Sequence, residues 1–245
     1  MKVLISGLNG TVAPVLADLL QQEGHTILAW DRAIVPSDDL LASRTFLETE
    51  KPAWFFHLAN GSPEWTEVLG QQCYAQQTKF LFTSTVSVYS GKQVGPFSTD
   101  DQPEPDDDYG RYKYECEKRI QAVNPNALIA RLGWQIGHTA TGNQMVAHLY
   151  RIQEAEGQIE ASVNWFPACA FLEDTAVALI EVMKTYQTGL FHLDGNPGLT
   201  FNEIARRLAN IHPKLGPIVD TTDHVQNNRM LDNQMVMNPI TNRLN

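Results

Sequence analysis

The 245-residue sequence contains only three cysteines, Cys73, Cys116 and Cys169, and they are widely spaced. An odd number of separated cysteines does not form a disulfide framework, so we expect buried thiols in a reducing, cytoplasmic setting. The seven histidines show no metal-ligand spacing such as HExxH, and we expect no metal site. Neither a P-loop nor a GxSxG nucleophile elbow is present.

Basic residues are also scarce, since 18 Lys and Arg stand against 28 Asp and Glu for a net charge of -10. This balance argues against nucleic acid or an anionic membrane as the main partner, although it allows a local phosphate pocket. No apolar run approaches the length of a membrane span, and the run after Met1 is too short for a secretory signal. With 43% hydrophobic residues, the chain can form a packed core.

What the sequence does contain is an alternation of short β-rich runs with helical patterns. Strands are predicted at 2–6, 26–30, 53–59, 79–85 and 127–131. Helices are predicted after Val12, from Ser37 as the capping residue to about Glu48, over 63–78 and across the 106–123 stretch. The alternation indicates an α/β fold, a Rossmann-like doubly wound parallel sheet.

The pattern loosens past Gly137. Helices are predicted near 144–156 and 174–185, a further strand at 190–193, and a capping box at Thr200 and Glu203. We therefore predict a dinucleotide-binding domain formed by residues 1–136 and 170–194. Residues 137–169 and 195–245 are predicted to form a small, mainly C-terminal substrate-binding lobe.

The first strand runs into the glycine turn "GLNGTVA". Gly7 allows a tight turn, Gly10 lets backbone N–H groups approach a pyrophosphate, and Ala13 allows close packing of helix on sheet. Asp31 ends the second strand, where a carboxylate can accept the adenosine ribose hydroxyls. Asp31 would repel a 2′-phosphate and favour NAD(H), whereas Arg32 could pair with that phosphate, so NAD(H) and NADP(H) both stay open.

A second group of polar residues is expected at the carboxyl ends of the strands, where reactions take place in such sheets. "FLFTSTVSVYSG" brings Ser84 and Thr85 to such an end, and Thr85 can hydrogen-bond a substrate carbonyl. Lys113 lies one helical turn after Tyr109 in "DDDYGRYKYECEKRIQAV". Its ammonium is expected to lower the tyrosine pKa, so that Tyr109 can pass a proton to a carbonyl oxygen.

The combination of these motifs resembles the extended short-chain dehydrogenase/reductase family, in its dTDP-4-dehydrorhamnose reductase-like, sugar-nucleotide-binding branch. The resemblance covers "WDR", "TSTVSVYSG", "YGRYKYECE", "RLGWQIG", "GLFHLDGNPGLTFNEIA" and "NNRMLDN". It implies that Tyr109 is the general acid, that Lys113 supports it and orients the nicotinamide ribose, and that Thr85 holds the carbonyl. The coenzyme residues expected on both grounds are Gly7, Gly10, Ala13, Asp31, Arg32, Leu58, Ala59, Ser84, Tyr109 and Lys113.

Three further residues are candidates for the substrate side beside Thr85. Arg131 and Arg229 could pair with a diphosphate, and Trp134 could stack on a base or sugar; packing or surface roles weigh equally for each. Two departures from the family concern length. The segment between "HLAN" and "TSTV" is shorter than in the family and lacks the asparagine-bearing piece of helix that supports the lysine and the substrate loop. The chain is also short for this branch, mainly in that segment and at the C-terminus, and together these departures imply a reshaped or absent sugar pocket.

These features predict an NAD(P)H-dependent reductase of a keto-sugar nucleotide or a similar small carbonyl compound. Two alternatives stay open: a non-catalytic, dinucleotide-binding regulatory subunit, and an NAD-dependent sugar-nucleotide epimerase. Dehydration is disfavoured, because Val86 and Ser87 stand where the related dehydratases carry Asp-Glu. The expected partner is a small molecule, a nucleotide sugar, and a homodimer is compatible with the sequence.

Overall fold

A computed structural model describes residues 1–244 of the chain. Its strands are β1 (Lys2–Ser6), β2 (Thr26–Ala29), β3 (Trp54–His57), β4 (Lys79–Thr85), β5 (Leu128–Leu132), β6 (Trp134–Ile136), β7 (Ile159–Ser162), β8 (Trp165–Phe166), β9 (Cys169–Phe171), β10 (Gly189–Leu193), β11 (Ile218–Thr221) and β12 (Gln226–Asn227). Its α-helices are α1 (Ala13–Gln22), α2 (Leu40–Glu50), α3 (Pro63–Ala75), α4 (Asp108–Val123), α5 (Met145–Glu156), α6 (Leu172–Thr185) and α7 (Phe201–Ile211). Short 3₁₀ helices cover Val86–Val88 and Ile240–Asn242.

Six of the strands form one sheet in the order β10-β5-β4-β3-β1-β2. β1 pairs in parallel with both β2 and β3, and β3 pairs in parallel with β4. The strand order reverses direction between β1 and β3, which is the crevice where Rossmann-like sheets bind dinucleotides. The predicted Rossmann-like α/β fold is therefore confirmed.

Burial on both faces explains why these strands read as nearly continuous apolar runs. In β4 every residue after Lys79 is buried, and in β1 every residue after Lys2 is buried. The core on one side of the sheet contains Phe55, Phe80 and Phe82 together with Trp65 and Ile120 from the helices. Burial of such large side chains from water is the main source of stability for the sheet.

Local side chains determine where the helices begin. The Asp107 carboxylate caps α4 by accepting from Gly110 N at 2.6 Å, and Ser62 caps α3 by accepting from Trp65 N at 3.1 Å. The predicted capping box at Thr200 and Glu203 is present at the start of α7.

One predicted cap is wrong. The structure begins α2 at Leu40 and caps it with Asp39, whose carboxylate accepts from Ala42 N at 2.8 Å. Ser37 lies two residues too early to reach an N–H group of the first turn. Because aspartate caps a helix as well as serine does, the two were equivalent by composition alone.

The chain divides into two compact units. Unit 1 contains residues 1–90, 103–131 and 176–191, and unit 2 contains residues 91–102, 132–175 and, among the described residues, 192–244. Unit 2 has its own core, in which α5 and α7 pack with three two-stranded sheets, β7 with β11, β8 with β12 and β6 with β9. Division into a coenzyme domain and a substrate lobe stays a prediction. None of the helices within residues 1–244 has the length and apolarity of a membrane span.

Candidate active site

The glycine turn of unit 1 is tight and packs closely against the backbone of Leu58 and Ala59. Gly7 adopts a positive φ of 86°, and a Cβ at this position would lie 3.0 Å from Ala59 N. Gly10 N donates to the Gly7 carbonyl at 2.7 Å, which closes the turn just before α1. Ala13, the first residue of α1, is buried, and Val12 before it offers no capping side chain. The first N–H groups of this helix can therefore meet an anion.

A buried network that the sequence did not reveal holds the next strand end in place. The Ser6 hydroxyl oxygen accepts from Leu58 N at 3.1 Å and from Ala59 N at 3.2 Å. Its single proton can then go to His57 Nδ1, which lies 2.7 Å away. Burial, first of all, lowers the pKa of His57 well below its usual value, and so His57 acts as a neutral acceptor. Leu58 and Ala59, both predicted to contact the coenzyme, are thereby fixed beside Gly7.

Asp31 and Arg32 lie exposed after β2, but they have different neighbours. Asp31 Oδ1 accepts from Ala33 N at 2.8 Å, which orients the carboxylate. Arg32 Nη2 donates to the Asn60 carbonyl, and the guanidinium lies 5.2 Å from the centre of a Trp65 ring. The Arg32 guanidinium is therefore already engaged by protein groups, which weakens the prediction that it pairs with a 2′-phosphate.

Tyr109 and Lys113 occupy successive turns of α4. Tyr109 is 47% exposed, whereas Lys113 is only 2% exposed. Lys113 Nζ donates to the Thr83 carbonyl of β4 at 2.9 Å, and it lies 5.9 Å from the centre of the Tyr109 ring. The Phe82 ring approaches the same ammonium at 4.7 Å. The helix thus holds a buried ammonium beside a phenol that solvent can reach.

The electrostatics of this pair correct one expectation. Partial burial of the phenol, and next the charge of Asp107, raise the pKa of Tyr109, so the predicted lowering by Lys113 is not found. The cap residue Asp107 lies only two positions away, and Lys113 faces the tyrosine ring. Burial in turn lowers the pKa of Lys113 to about 8. At neutral pH both groups are therefore protonated.

Thr85 and Ser84 end β4, as predicted, with hydroxyls in different states. Thr85 Oγ1 accepts from Ser87 N at 3.2 Å and lies 3.3 Å from Ser87 Oγ, which starts the 3₁₀ turn. Ser84 is 4% exposed, and its Oγ has no hydrogen-bond partner among residues 1–244. A buried hydroxyl without a partner is costly and marks a position where a ligand can complete the hydrogen bonding.

Arg131 is the clearest correction to the predicted substrate residues. Its guanidinium is buried and forms two bonds to Glu117, from Nε to Oε1 at 3.0 Å and from Nη2 to Oε2 at 2.7 Å. Nη1 also donates to the Tyr89 hydroxyl at 2.7 Å. An arginine used in this way inside unit 1 does not offer its charge to a diphosphate. Glu117 is the last residue of "YGRYKYECE" and Arg131 is the first of "RLGWQIG", and their places in these two motifs were the available signal for the pair.

Trp134 and Arg229, the other predicted substrate residues, belong to unit 2. Trp134 is partly exposed, with ring centres 5.2 Å from His148, 5.9 Å from Phe201 and 6.0 Å from Trp165. The Arg229 guanidinium lies 5.6 Å from the centre of the Phe166 ring. Both side chains pack against aromatic rings, and their role on the substrate side stays a prediction.

Within residues 1–244, no group of three or more His, Cys, Asp or Glu is placed so that it could hold a metal ion. The cysteines 73, 116 and 169 are free and buried. Beside Asp31 and Arg32, the polar groups of the candidate site are hydroxyls, the Lys113 ammonium and backbone N–H groups.

Comparison with known proteins identifies the family. The family model described as "RmlD substrate binding domain" matches residues 63–234, well over half of the chain. The chain belongs to this RmlD family. Among curated relatives, a dTDP-4-dehydrorhamnose reductase of Mycolicibacterium smegmatis is 23% identical over 78% of this chain. The match covers 63% of that reductase, so this chain spans less than two thirds of its length.

Solved structures agree with this assignment at the level of the fold. A dTDP-4-dehydrorhamnose reductase from Bacillus anthracis, in complex with NADP, superposes with a TM-score of 0.85 at 16% identity. The superposition covers 99% of this chain and 96% of the reductase. A UDP-N-acetylglucosamine 4-epimerase from Bacillus cereus gives a TM-score of 0.77 at 20% identity, covering 100% of this chain and 92% of the other. Because RmlD-like reductases and epimerases share the fold, the reaction has to be inferred from the site.

Proposed function

We propose that this chain is an NAD(P)H-dependent reductase of a keto-sugar nucleotide or a similar small carbonyl compound. The observation that carries the proposal is the arrangement at the start of α4. The Tyr109 phenol stands partly open to solvent, the Lys113 ammonium lies buried behind its ring, and Thr85 ends the neighbouring strand. A protonated phenol supported by a cation is a general acid suited to a developing alkoxide.

The residues of unit 1 fit a dinucleotide. The Gly7 to Ala13 turn and the open start of α1 suit a pyrophosphate, and the Asp31 carboxylate suits the ribose hydroxyls. The Leu58–Ala59 backbone and the unpartnered Ser84 hydroxyl stand at the ends of β3 and β4. When bound there, the reduced coenzyme would supply hydride, and it is NAD(H) or NADP(H).

The protein's own part in the reaction is proton transfer and orientation. The raised pKa of Tyr109 keeps its proton on the phenol at neutral pH, so the proton is present to be donated to the carbonyl oxygen. Lys113 then stabilises the phenolate that is left. The Thr85 hydroxyl can turn from Ser87 to the same oxygen, because a hydroxyl proton rotates freely. Trp134 and Arg229 remain candidates for the nucleotide-sugar side.

The alternative function of a non-catalytic dinucleotide-binding subunit is favoured by one observation. The helix between β3 and β4 is α3, and its sequence PEWTEVLGQQCYA contains no asparagine to support the lysine. In this chain the loop before α3 is held differently, because the Tyr112 hydroxyl accepts from Gly61 N at 2.9 Å. An epimerase with the same Tyr109–Lys113 pair is the other alternative, and it would show no net oxidation of coenzyme.

The decisive experiment measures oxidation of NADH and NADPH with a panel of 4-keto sugar nucleotides. We expect turnover with the wild type and a loss of about 10²–10⁴-fold in kcat for Tyr109→Phe, which removes the proton donor. The matched control is Tyr114→Phe, an identical change in the same helix at a ring whose centre lies 5.2 Å from the Lys118 ammonium. Full turnover by Tyr109→Phe would remove Tyr109 from the mechanism, and coenzyme binding without turnover on any carbonyl would support the regulatory alternative.

A further inference from the structure

Tyr89, Glu117 and Arg131 form a buried triad in unit 1. The side chains of Arg131 and Glu117 are 3% and 2% exposed, and the pair is bidentate. Tyr89 is 4% exposed as a residue and accepts the third bond at 2.7 Å. The Arg131 guanidinium carbon also lies 5.1 Å from the Tyr89 ring centre. Buried charges with this degree of pairing have a fixed geometry.

Each member of the triad belongs to a different element of unit 1. Arg131 is in β5, and Glu117 is in α4, one turn after Lys113 on the same buried face. Tyr89 follows the 3₁₀ turn Val86–Val88, which starts directly after Thr85. We infer that this triad is a positioning device, which fixes the Lys113 helix against the turn that follows Thr85 and sets a negative charge beside the Lys113 ammonium.

The charge of Glu117 matters because the Lys113 ammonium is costly to bury. Burial is the largest influence and lowers the pKa of Lys113 to about 8, whereas Cys116 and Glu117 on the same helix act in the opposite direction. Removal of the Glu117 charge should therefore make Lys113 lose its proton at lower pH. Arg131 keeps the carboxylate directed into the core, where it can have this effect.

Three other titratable groups face Lys113. The Tyr109 and Tyr112 rings lie 5.9 Å and 5.7 Å from its Nζ, and the charge of Lys113 contributes to the low pKa of His57. The phenols keep their protons at neutral pH because burial, first of all, raises the pKa of both. His57 is neutral there as well. Burial also raises the pKa of the Cys116 thiol, so this group is neutral near pH 8. Glu117 is therefore the charged carboxylate among these groups, and its effect on Lys113 can be isolated.

The test follows the Lys113 proton directly by NMR of chains labelled with ¹³C-lysine, with the resonance assigned by its loss in Lys113→Met. In the wild type we expect a titration midpoint near pH 8. In Glu117→Gln the midpoint should fall by about one unit or more, as expected for loss of a close opposite charge. The control Glu115→Gln makes the same change at a side chain that is 37% exposed on the same helix, and its midpoint should stay. A folded Glu117→Gln chain with the wild-type midpoint would overturn the inference.

Glu117→Gln could fail to fold, because it leaves the Arg131 charge buried and unpaired. The double variant Glu117→Leu/Arg131→Met then replaces the pair by apolar groups of similar size, which proteins often tolerate. Its Lys113 midpoint should fall as well, and an unchanged midpoint would again contradict the inference.

Tyr89→Phe tests the positioning role separately, since it removes the hydrogen bond from Arg131 and no charge. We expect faster amide exchange over residues 85–90 and 108–117 with the Lys113 midpoint unchanged. The control Tyr74→Phe, at a tyrosine that is 46% exposed in the same unit, should leave both unchanged. Wild-type exchange in Tyr89→Phe would refute the positioning role.

Only the expected effect of the triad on turnover rests on the proposed reductase function. In the active enzyme the alkaline loss of turnover should move to lower pH in Glu117→Gln, together with the NMR midpoint. If the wild type oxidises no coenzyme, the proposed function fails, but the NMR and exchange measurements still decide on the triad.

Discussion

Gly110, which directly follows Tyr109, offers a sharp test of how the start of α4 is placed. A Cβ at this position would lie 2.0 Å from the Ser87 carbonyl oxygen and 3.0 Å from Pro105 Cβ. Real Cβ atoms essentially never come closer than 3.0 Å, so Gly110→Ala must move α4 away from the Ser87 turn by at least 1.0 Å, that is 3.0 minus 2.0. Because the obstacle is backbone, no side-chain rotation relieves it.

Such a shift has two consequences that can be estimated. Overpacking of this kind costs about 1–3 kcal/mol in the free energy of unfolding, which for a chain of this length is a Tm decrease of roughly 2–12 °C. A displacement of about 1 Å between Tyr109 and Thr85 should also reduce kcat by about 10²-fold. The measurements are thermal unfolding and coenzyme oxidation on the best carbonyl of the panel.

The matched control is Gly70→Ala in α3. Its new Cβ would meet Val123 Cγ2 at 3.7 Å and Ile120 at 3.8 Å, which is ordinary contact. We expect an increase in stability of about 0.5–1 kcal/mol, because alanine favours the helix interior, and unchanged kcat. If Gly110→Ala has the Tm and the kcat of the wild type, this placement of α4 against the Ser87 turn is wrong.

Two more predictions concern Asp31 and Lys113. Asp31→Ala should reduce discrimination between NADH and NADPH, measured as the ratio of their Kd values by fluorescence; an unchanged ratio would mean that Asp31 does not touch the ribose. Lys113→Met should abolish most turnover. Its free energy of unfolding at pH 7 should nevertheless exceed that of the wild type by about 1–3 kcal/mol, because the folded wild type holds the ammonium at a pKa of about 8 against 10.5 for an ordinary lysine. Between these two values the unfolded wild type binds more protons than the folded one, so wild-type stability should rise with pH and the gap to Lys113→Met should close. A difference in free energy of unfolding between the two chains that stays constant from pH 7 to 10.5 would contradict the prediction that Lys113 is buried as an ammonium.

The architecture could largely be predicted from the sequence because apolar runs and helical spacings are local signals. β4 and the α4 stretch have such signals, and the glycine turn stands between a strand and a helix, where its residues have a known use. Helix starts were less certain, as the Asp39 cap of α2 shows, since several residues of one stretch can cap.

Partners that are distant in sequence could not be predicted. Arg131 resembled a substrate residue until its guanidinium was found on Glu117, and the link from Ser6 to His57 spans 51 positions. The pKa of Tyr109 likewise depends on burial and on Asp107, neither of which the spacing to Lys113 reports. Such effects arise from which side chains the fold brings together, and no short motif encodes them.

The central claim is that the chain catalyses hydride transfer to a carbonyl, with Tyr109 as the proton donor. The most direct measurement uses coenzyme deuterated at the transferred position, with mass spectrometry of the product from the most reactive keto-sugar nucleotide. We predict that the product alcohol carries one deuterium and that Tyr109→Phe forms it at least about 10²-fold more slowly. A product without deuterium, or coenzyme that binds and stays reduced with every carbonyl tested, would contradict the claim.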